Sequence, residues 1–407
     1  MKDYRQFSKL EERFRREISS FGTNSTTAFT VLISLIVSTI YTIVRYSSEI
    51  LHGGDIYLTG DWLINYQGGY AQRGLNGQLL LFTSDHLGID LLWVTYIEQC
   101  SLFFVFSYSV ISIFRLVRGK FLWLMALNPA FMMFYFLDTG GAFRKELIGF
   151  ACVSLLFFCR ARAKVSKFVI LVAPMLYFLM SFSWDLGTLF LPIIMYSYYR
   201  MREEKLISQN TFFLSVLAYL VTSASSVVGV LYFITHRSPA TSSGICRSLV
   251  ERGLSDQICL GTIQAISNVG LDFFSTAGSL MLNGDYPWYF PVLIIALVPI
   301  YWSGWIRNNV GLTILIFLSV LPLWIIEIDY GRNVHILVTF LTLSWAIDMN
   351  SIDTQKRRPT KQNSIIRYDL FFLLFSVLYT VSWRVPHAGG LPHAFFLGVI
   401  GRVLSWL

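Results

Sequence analysis

Apolar runs long enough to cross a bilayer recur along this chain, and no other feature restricts its fold so tightly. They lie at about residues 27 to 44, 91 to 114, 121 to 137, 146 to 159, 168 to 183, 186 to 199, 211 to 234, 288 to 305, 309 to 326, 334 to 347 and 368 to 383. A helix needs about 17 to 25 such residues to span ~30 Å of hydrocarbon, whereas a membrane β-barrel shows short segments of alternating polarity. With 55% hydrophobic and only 14% charged residues, a water-soluble fold would lack the polar residues to cover itself. The chain reads as an all-α, polytopic integral membrane protein, one membrane domain over residues 1–407. A last run, LPHAFFLGVIGRVLSWL, is interrupted by Arg402, so the spans number eleven or twelve.

Charge sets the orientation. Residues 1–26 carry six Lys or Arg ahead of the first apolar run, without the short apolar core and small-residue cleavage site of a signal peptide, so the first span is expected to be retained with its N-terminus cytoplasmic. Alternating sides then place 22 of the 32 Lys and Arg in inner segments, including Arg160, Arg162, Lys164, Arg200, Arg202, Lys205 and Arg307. That asymmetry is the positive-inside pattern of an inner or plasma membrane. The net charge of +8 is spread between apolar runs instead of forming one patch, which argues against a nucleic-acid partner.

Two outer loops are long, 46–90 and 235–287. In the second, Cys246 and Cys259 enclose CRSLVERGLSDQIC and read equally as a disulfide on an oxidising face or as two independent thiols. Cys100, Cys152 and Cys159 fall in or beside apolar runs and are expected to act as small buried hydrophobes. No Walker loop, GxGxxG or metal-ligand spacing occurs, so no cofactor and no metal is assigned.

Charged residues gather at the outer ends of the spans: Arg73 in NYQGGYAQRGLNGQ, Arg144, Lys145 and Glu146 in DTGGAFRKE, Asp185 in SFSWDLG, Asp329, Arg332 and His335 in EIDYGRNVH, and Arg384 with His387 in WRVPH. Any one of these arginines could be paired internally with Asp61, Asp138, Glu146, Asp185 or Asp329. Taken together, charges from five helix ends beside a glycine-rich loop suggest a polar pocket opening outward. An arginine fork matches phosphate oxygens, and loop glycines can offer backbone N–H groups to the same ligand. A lipid-linked phosphate or pyrophosphate places its charge at this depth, and a carboxylate or histidine would take the proton from an attacking hydroxyl. Trp62, Tyr66, Tyr70, Trp184, Tyr286, Trp288, Tyr330 and Trp383 on the same side are either an interfacial belt or sugar-stacking rings.

Three stretches, GGYAQRGLNG, GGAFRKELIGF and DYGRNVH, resemble the Wzy-type O-antigen polymerases of bacterial surface-polysaccharide clusters. The resemblance implies a metal-independent transferase that moves a glycan from undecaprenyl pyrophosphate onto a new lipid-linked repeat unit at the periplasmic face of the inner membrane. It implies undecaprenyl-pyrophosphate-linked oligosaccharides as substrates, with a chain-length regulator and a flippase as partners. On this reading Arg73, Arg144 and Arg332 clamp the pyrophosphate, Arg384 is a weaker fourth, and the base is Asp329, Glu146 or His335, with Asp329 ahead. A GT-C type glycosyltransferase using a polyprenyl monophosphate sugar is the first alternative. Such enzymes place an essential acid in the first outer loop, where Asp55 and Asp61 lie. An O-antigen ligase and a lipid-linked oligosaccharide flippase or other transporter are the others. Against a transporter, only Glu98 lies clearly within a span, and no internal repeat is found.

Overall fold

A computed structural model describes residues 25–117, 121–236, 238–268, 286–326, 329–355 and 366–387. The basic N-terminal stretch up to residue 24, the basic residues 356–365 and the C-terminal apolar run with Arg402 lie outside the described residues. Those that are described form helices and no β-strand, so the fold class is all-α. The described residues begin with α1 (Ser25–Leu51), α2 (Leu58–Trp62), α3 (Gly74–Leu87), α4 (Leu91–Phe114), α5 (Leu122–Ala126) and α6 (Met132–Leu137). There follow α7 (Glu146–Ala161), α8 (Lys167–Ser183), α9 (Leu191–Glu203), α10 (Gln209–Thr235), α11 (Pro239–Val250) and α12 (Thr262–Asn268). The last are α13 (Tyr286–Trp302), α14 (Trp305–Asn308), α15 (Val310–Ile326), α16 (Tyr330–Gln355) and α17 (Ile366–Ser382).

Local chemistry starts several of these helices. Asp90 caps α4 by accepting from the amides of Leu92 and Trp93, Ser166 caps α8 through Phe168, and Ser208 caps α10 through Thr211. The expected span 121–137 is instead two short helices. Pro129 cannot continue the first, and Asn128 diverts its own side chain to the backbone, its Oδ1 accepting from the Ala130 amide at 2.9 Å. The Asn128 amide nitrogen also donates to the Ala296 carbonyl at 2.8 Å, which ties the break to α13. The two long loops are also more structured than expected. Loop 46–90 holds the end of α1 together with α2 and α3, and the described part of loop 235–287 holds α11 and α12.

Helix α7 is the centre of the bundle. It packs against α4, α8, α9 and α16, and apart from Leu155, Phe158 and Ala161 its residues are buried. A helix apolar all round belongs in such a place. Two ion pairs register it against α16. Glu146 at its start binds Arg332, and Arg160 at its end lies 3.4 Å from Asp348. The two helices therefore run parallel, each pinned at both ends.

The outer helices invert the pattern of a water-soluble protein. On α8 the exposed large apolar residues are Phe168, Leu171, Met175 and Phe178, and on α15 they are Val310, Ile314, Leu315, Leu318, Leu321 and Ile325. Both sets are helix-spaced stripes turned away from the protein. Meanwhile α4 buries Thr95, Gln99, Ser107, Ser109 and Ser112. Two helices, α4 and α10, are long and apolar enough to cross a membrane, and α8, α13 and α15 contribute shorter apolar helices.

Candidate functional site

The site is built on two glycine-bearing stretches that meet at one end of the bundle. In the first, the glycines serve close packing. A Cβ on Gly68 would stand 2.0 Å from the Thr241 carbonyl oxygen of α11, and one on Gly77 would stand 2.0 Å from that of Ile64. The amides of Gly69 and Gly74 bond within the loop, to Tyr66 and Ala71 carbonyls, so these two are not offered to a ligand as the sequence suggested. The tight fold fixes Arg73 at the start of α3, where its Nε donates to Asp185 Oδ2 at 2.9 Å and its NH1 lies 3.5 Å from Asp61 Oδ1.

The second stretch carries backbone strain. Phe143 has a φ of 50°, the left-handed region that side chains other than glycine avoid at about 1–3 kcal/mol. Its surroundings hold it there. The Phe143 carbonyl accepts from Trp62 Nε1 at 2.7 Å and Gln99 Nε2 at 3.1 Å, and its ring stacks on Tyr46 at 4.5 Å. From this fixed corner three consecutive charges diverge. Arg144 NH1 donates to the Tyr57 carbonyl at 2.8 Å. Lys145 Nζ donates to the Arg73 carbonyl at 2.9 Å and lies 3.8 Å from Asp61 Oδ1. Glu146 receives both forks of Arg332, at 2.7 and 2.8 Å, while Arg332 NH1 reaches Asp329 Oδ2 at 2.6 Å.

The structure thus gathers two ion-pair groups at one end of the bundle, Arg73, Lys145, Asp61 and Asp185 in one and Arg332, Glu146 and Asp329 in the other, with Arg144 in electrostatic reach of both. Arg384 lies in the short segment leading to His387, whose Nδ1 is 2.8 Å from Asp138 Oδ1. His335 does not join them. One turn beyond Arg332, its buried ring stacks on Phe134 at 4.4 Å, packs edgewise against Tyr135 and Phe150, and meets the Ala130 carbonyl through Nδ1. That aromatic seat separates it from any hydroxyl reaching the charged end. Glu146 is fully engaged by Arg332, so among the three candidate bases Asp329 is the most open.

The arginines differ in what binds them. Arg73 and Arg332 have carboxylate partners; Arg144, only 8% exposed, has none at salt-bridge distance among the described residues, and its buried Nε has no hydrogen-bond partner. Its guanidinium also lies over the face of Tyr57, 5.9 Å from the ring centre. Arg144 lies within electrostatic reach of both Asp61 and Asp329. Burial raises the pKa of Asp61, but Lys145, Arg73, Arg144 and Arg332 outweigh it and hold the carboxyl below its ordinary value. Burial raises Asp329 in the same way, and Arg332, Arg144 and His387 bring it below its ordinary value. Asp55, the other acid of this segment, is a turn residue: its Oδ1 accepts from the amides of Tyr57 and Leu58.

Cys246 and Cys259 are joined in a disulfide. Among the described residues no three His, Cys, Asp or Glu side chains converge as a metal site. No family model matches the chain, and no curated protein or solved structure is significantly similar to it.

Proposed function

We propose that this protein is a multi-pass membrane glycosyltransferase that takes a sugar from a polyprenyl-linked phosphate at the outer face of an inner membrane. The apolar stripes turned outward on α8 and α15, with polar residues buried on α4, support lipid around the bundle. One observation carries the chemistry: Arg144, buried and directly after the strained Phe143, has no carboxylate at salt-bridge distance among the described residues, although Asp61 and Asp329 lie within its electrostatic reach. A buried cation with no carboxylate in direct contact is stabilised by a ligand that brings an anion to it. A phosphate at Arg144 would be that counter-charge.

In the reaction, the acceptor hydroxyl oxygen bonds to the anomeric carbon as the bond from that carbon to the phosphate oxygen breaks. The phosphate leaves with the electron pair and is stabilised by Arg144, and Asp61 takes the hydroxyl proton, with Asp329 on the other flank. A guanidinium bonded to one carbonyl and to no carboxylate, as Arg144 is among the described residues, suits a monophosphate. A three-arginine clamp on pyrophosphate would require Arg332 to leave the buried Glu146, which is costly. The O-antigen polymerase reading keeps support from Arg73: at 27% exposure, its pair with Asp185 is screened by water and a ligand phosphate can displace it.

The test is a gel of surface polysaccharide from cells lacking the protein, complemented with wild type, Asp61→Asn or Arg144→Ala. Loss of a sugar, with neither variant restoring it, supports monophosphate-dependent transfer. Core carrying a single repeat supports the polymerase. Unchanged polysaccharide in the deletion strain removes both.

A further inference from the structure

We propose that Lys145 is a positioning residue that keeps Asp61 ionised and oriented to receive the acceptor's proton, a role that rests on the glycosyl-transfer reading above. Four cations face Asp61: Arg73 at the start of α3, Arg144 and Lys145 before α7, and Arg332 on α16. Three of them have other duties. Arg73 is bound more closely to Asp185 than to Asp61 and is partly in water, Arg332 is held by Glu146 and Asp329, and Arg144 points its fork at the Tyr57 carbonyl.

Lys145 is different. Its side chain is fully buried, its one other hydrogen bond is to a neutral carbonyl, and Asp61 is the only carboxylate within salt-bridge distance among the described residues. Solvent cannot screen that charge, so at 3.8 Å it acts on Asp61 more strongly than the nearer but wetter Arg73. The groups facing Lys145 are Asp61, Arg73, Asp185 and, from α4, Glu98. Burial pulls its ammonium down to about 8, with Asp61 opposing the fall. It therefore stays mostly charged at neutral pH, and Asp61 is the largest of the groups that oppose the fall. The same ammonium bonds the carbonyl of Arg73, which joins the strained corner to the glycine stretch.

Two measurements decide the proposal, using the full-length protein in detergent or membrane vesicles. The first is thermal unfolding of wild type, Lys145→Met, Asp61→Asn and the double variant. Because Asp61 titrates below its unfolded value, its contribution to stability is present above about pH 4 and is lost as the pH falls further. Lys145→Met should lower the melting temperature by leaving buried Asp61 with only the longer, wetter contact to Arg73 at salt-bridge distance among the described residues, and the double variant should recover most of that loss at neutral pH. Equal melting of Lys145→Met and the double variant would mean that the lysine only braces the loop, and would overturn the proposal.

The second measurement is the pH profile of sugar transfer from polyprenyl phosphate in vesicles. Lys145→Met should move the acid limb up by about one unit, and Lys145→Arg should leave it in place. An unmoved limb in Lys145→Met overturns the proposal even where the variant is slow. Absence of transfer by wild type at every pH sinks the glycosyl-transfer reading and with it the catalytic role, whereas the melting cycle still reports whether the two charges are coupled.

Discussion

At the scale of single residues, two arginines that look alike in sequence should behave in opposite ways. Arg332 gives both forks to Glu146 within the protein, so Arg332→Ala leaves a buried carboxylate without its partner. Breaking such a pair costs about 3–5 kcal/mol, and the variant should be depleted from membranes on an immunoblot. Arg144→Ala removes one hydrogen bond to the Tyr57 carbonyl, about 1 kcal/mol, and relieves an unpaired charge. It should accumulate normally while transfer falls by about 100-fold, the usual loss when one donor to a developing anion is removed. Normal transfer by Arg144→Ala at normal abundance would show that the missing counter-charge is not a donor phosphate. Both arginines drew attention in the sequence because charges at helix ends are costly in an apolar chain. Their difference was not legible there, since it depends on which carboxylates the fold brings near, and Glu146 is far from Arg332 along the chain. Lys145 was hidden for the same reason: RKE reads as one charged run until Phe143 turns the backbone and sends the three side chains apart.

Among the elements, those set by long apolar periodicity were legible, and α4 begins and ends where its apolar run does. Helix α3 was not, because its sequence, GLNGQLLLFTSDHL, starts with poor helix formers and has two glycines in its first turn. Packing against α4 and α8 stabilises it, and Gly88 in the left-handed conformation ends it. The break between α5 and α6 had a visible signal, Asn128-Pro129, that the surrounding apolar run outweighed in the reading. In the second long loop, the cysteine spacing left the disulfide open, and the fold closes it between α11 and the turn at Asp256–Cys259. That bridge closes a short loop with a sequence separation of 13, worth about 3 kcal/mol against local opening. Reduction should therefore expose the last turn of α11 and the segment after it to trypsin, at Arg247 and Arg252 respectively, read as faster cleavage by mass spectrometry. Identical cleavage rates with and without reductant would show that packing against α2 and α3, including the Arg252–Asp85 pair at 2.8 Å, already holds the loop.

For the whole molecule, two independent kinds of chemistry separate to opposite ends of the α7–α16 pair. At the end marked by Arg160, the network draws in Glu204, Asp348 and the Trp305 indole, which brings the ends of α7, α9 and α16 together with α14. The basic residues Arg160, Arg162, Arg200, Arg202, Lys205 and Arg307 lie on or just after those elements. At the end marked by Glu146 lies α2 with Asp61, and the disulfide-bearing segment packs on α2: a Cβ on Gly60 would touch the Ile258 carbonyl, and the Thr262 amide donates to Ile56. Cations favour the cytoplasmic side and disulfides the oxidising side, so on the proposed membrane reading both put the Arg160 end inside. Reporter fusions test it directly. Alkaline phosphatase joined after Gly253 should be active and after Ala163 inactive, with a cytoplasmic fluorescent reporter showing the reverse. The opposite pattern would place Arg144 and Asp61 in the cytoplasm, and the proposal of an outward-facing donor site would fall with the orientation.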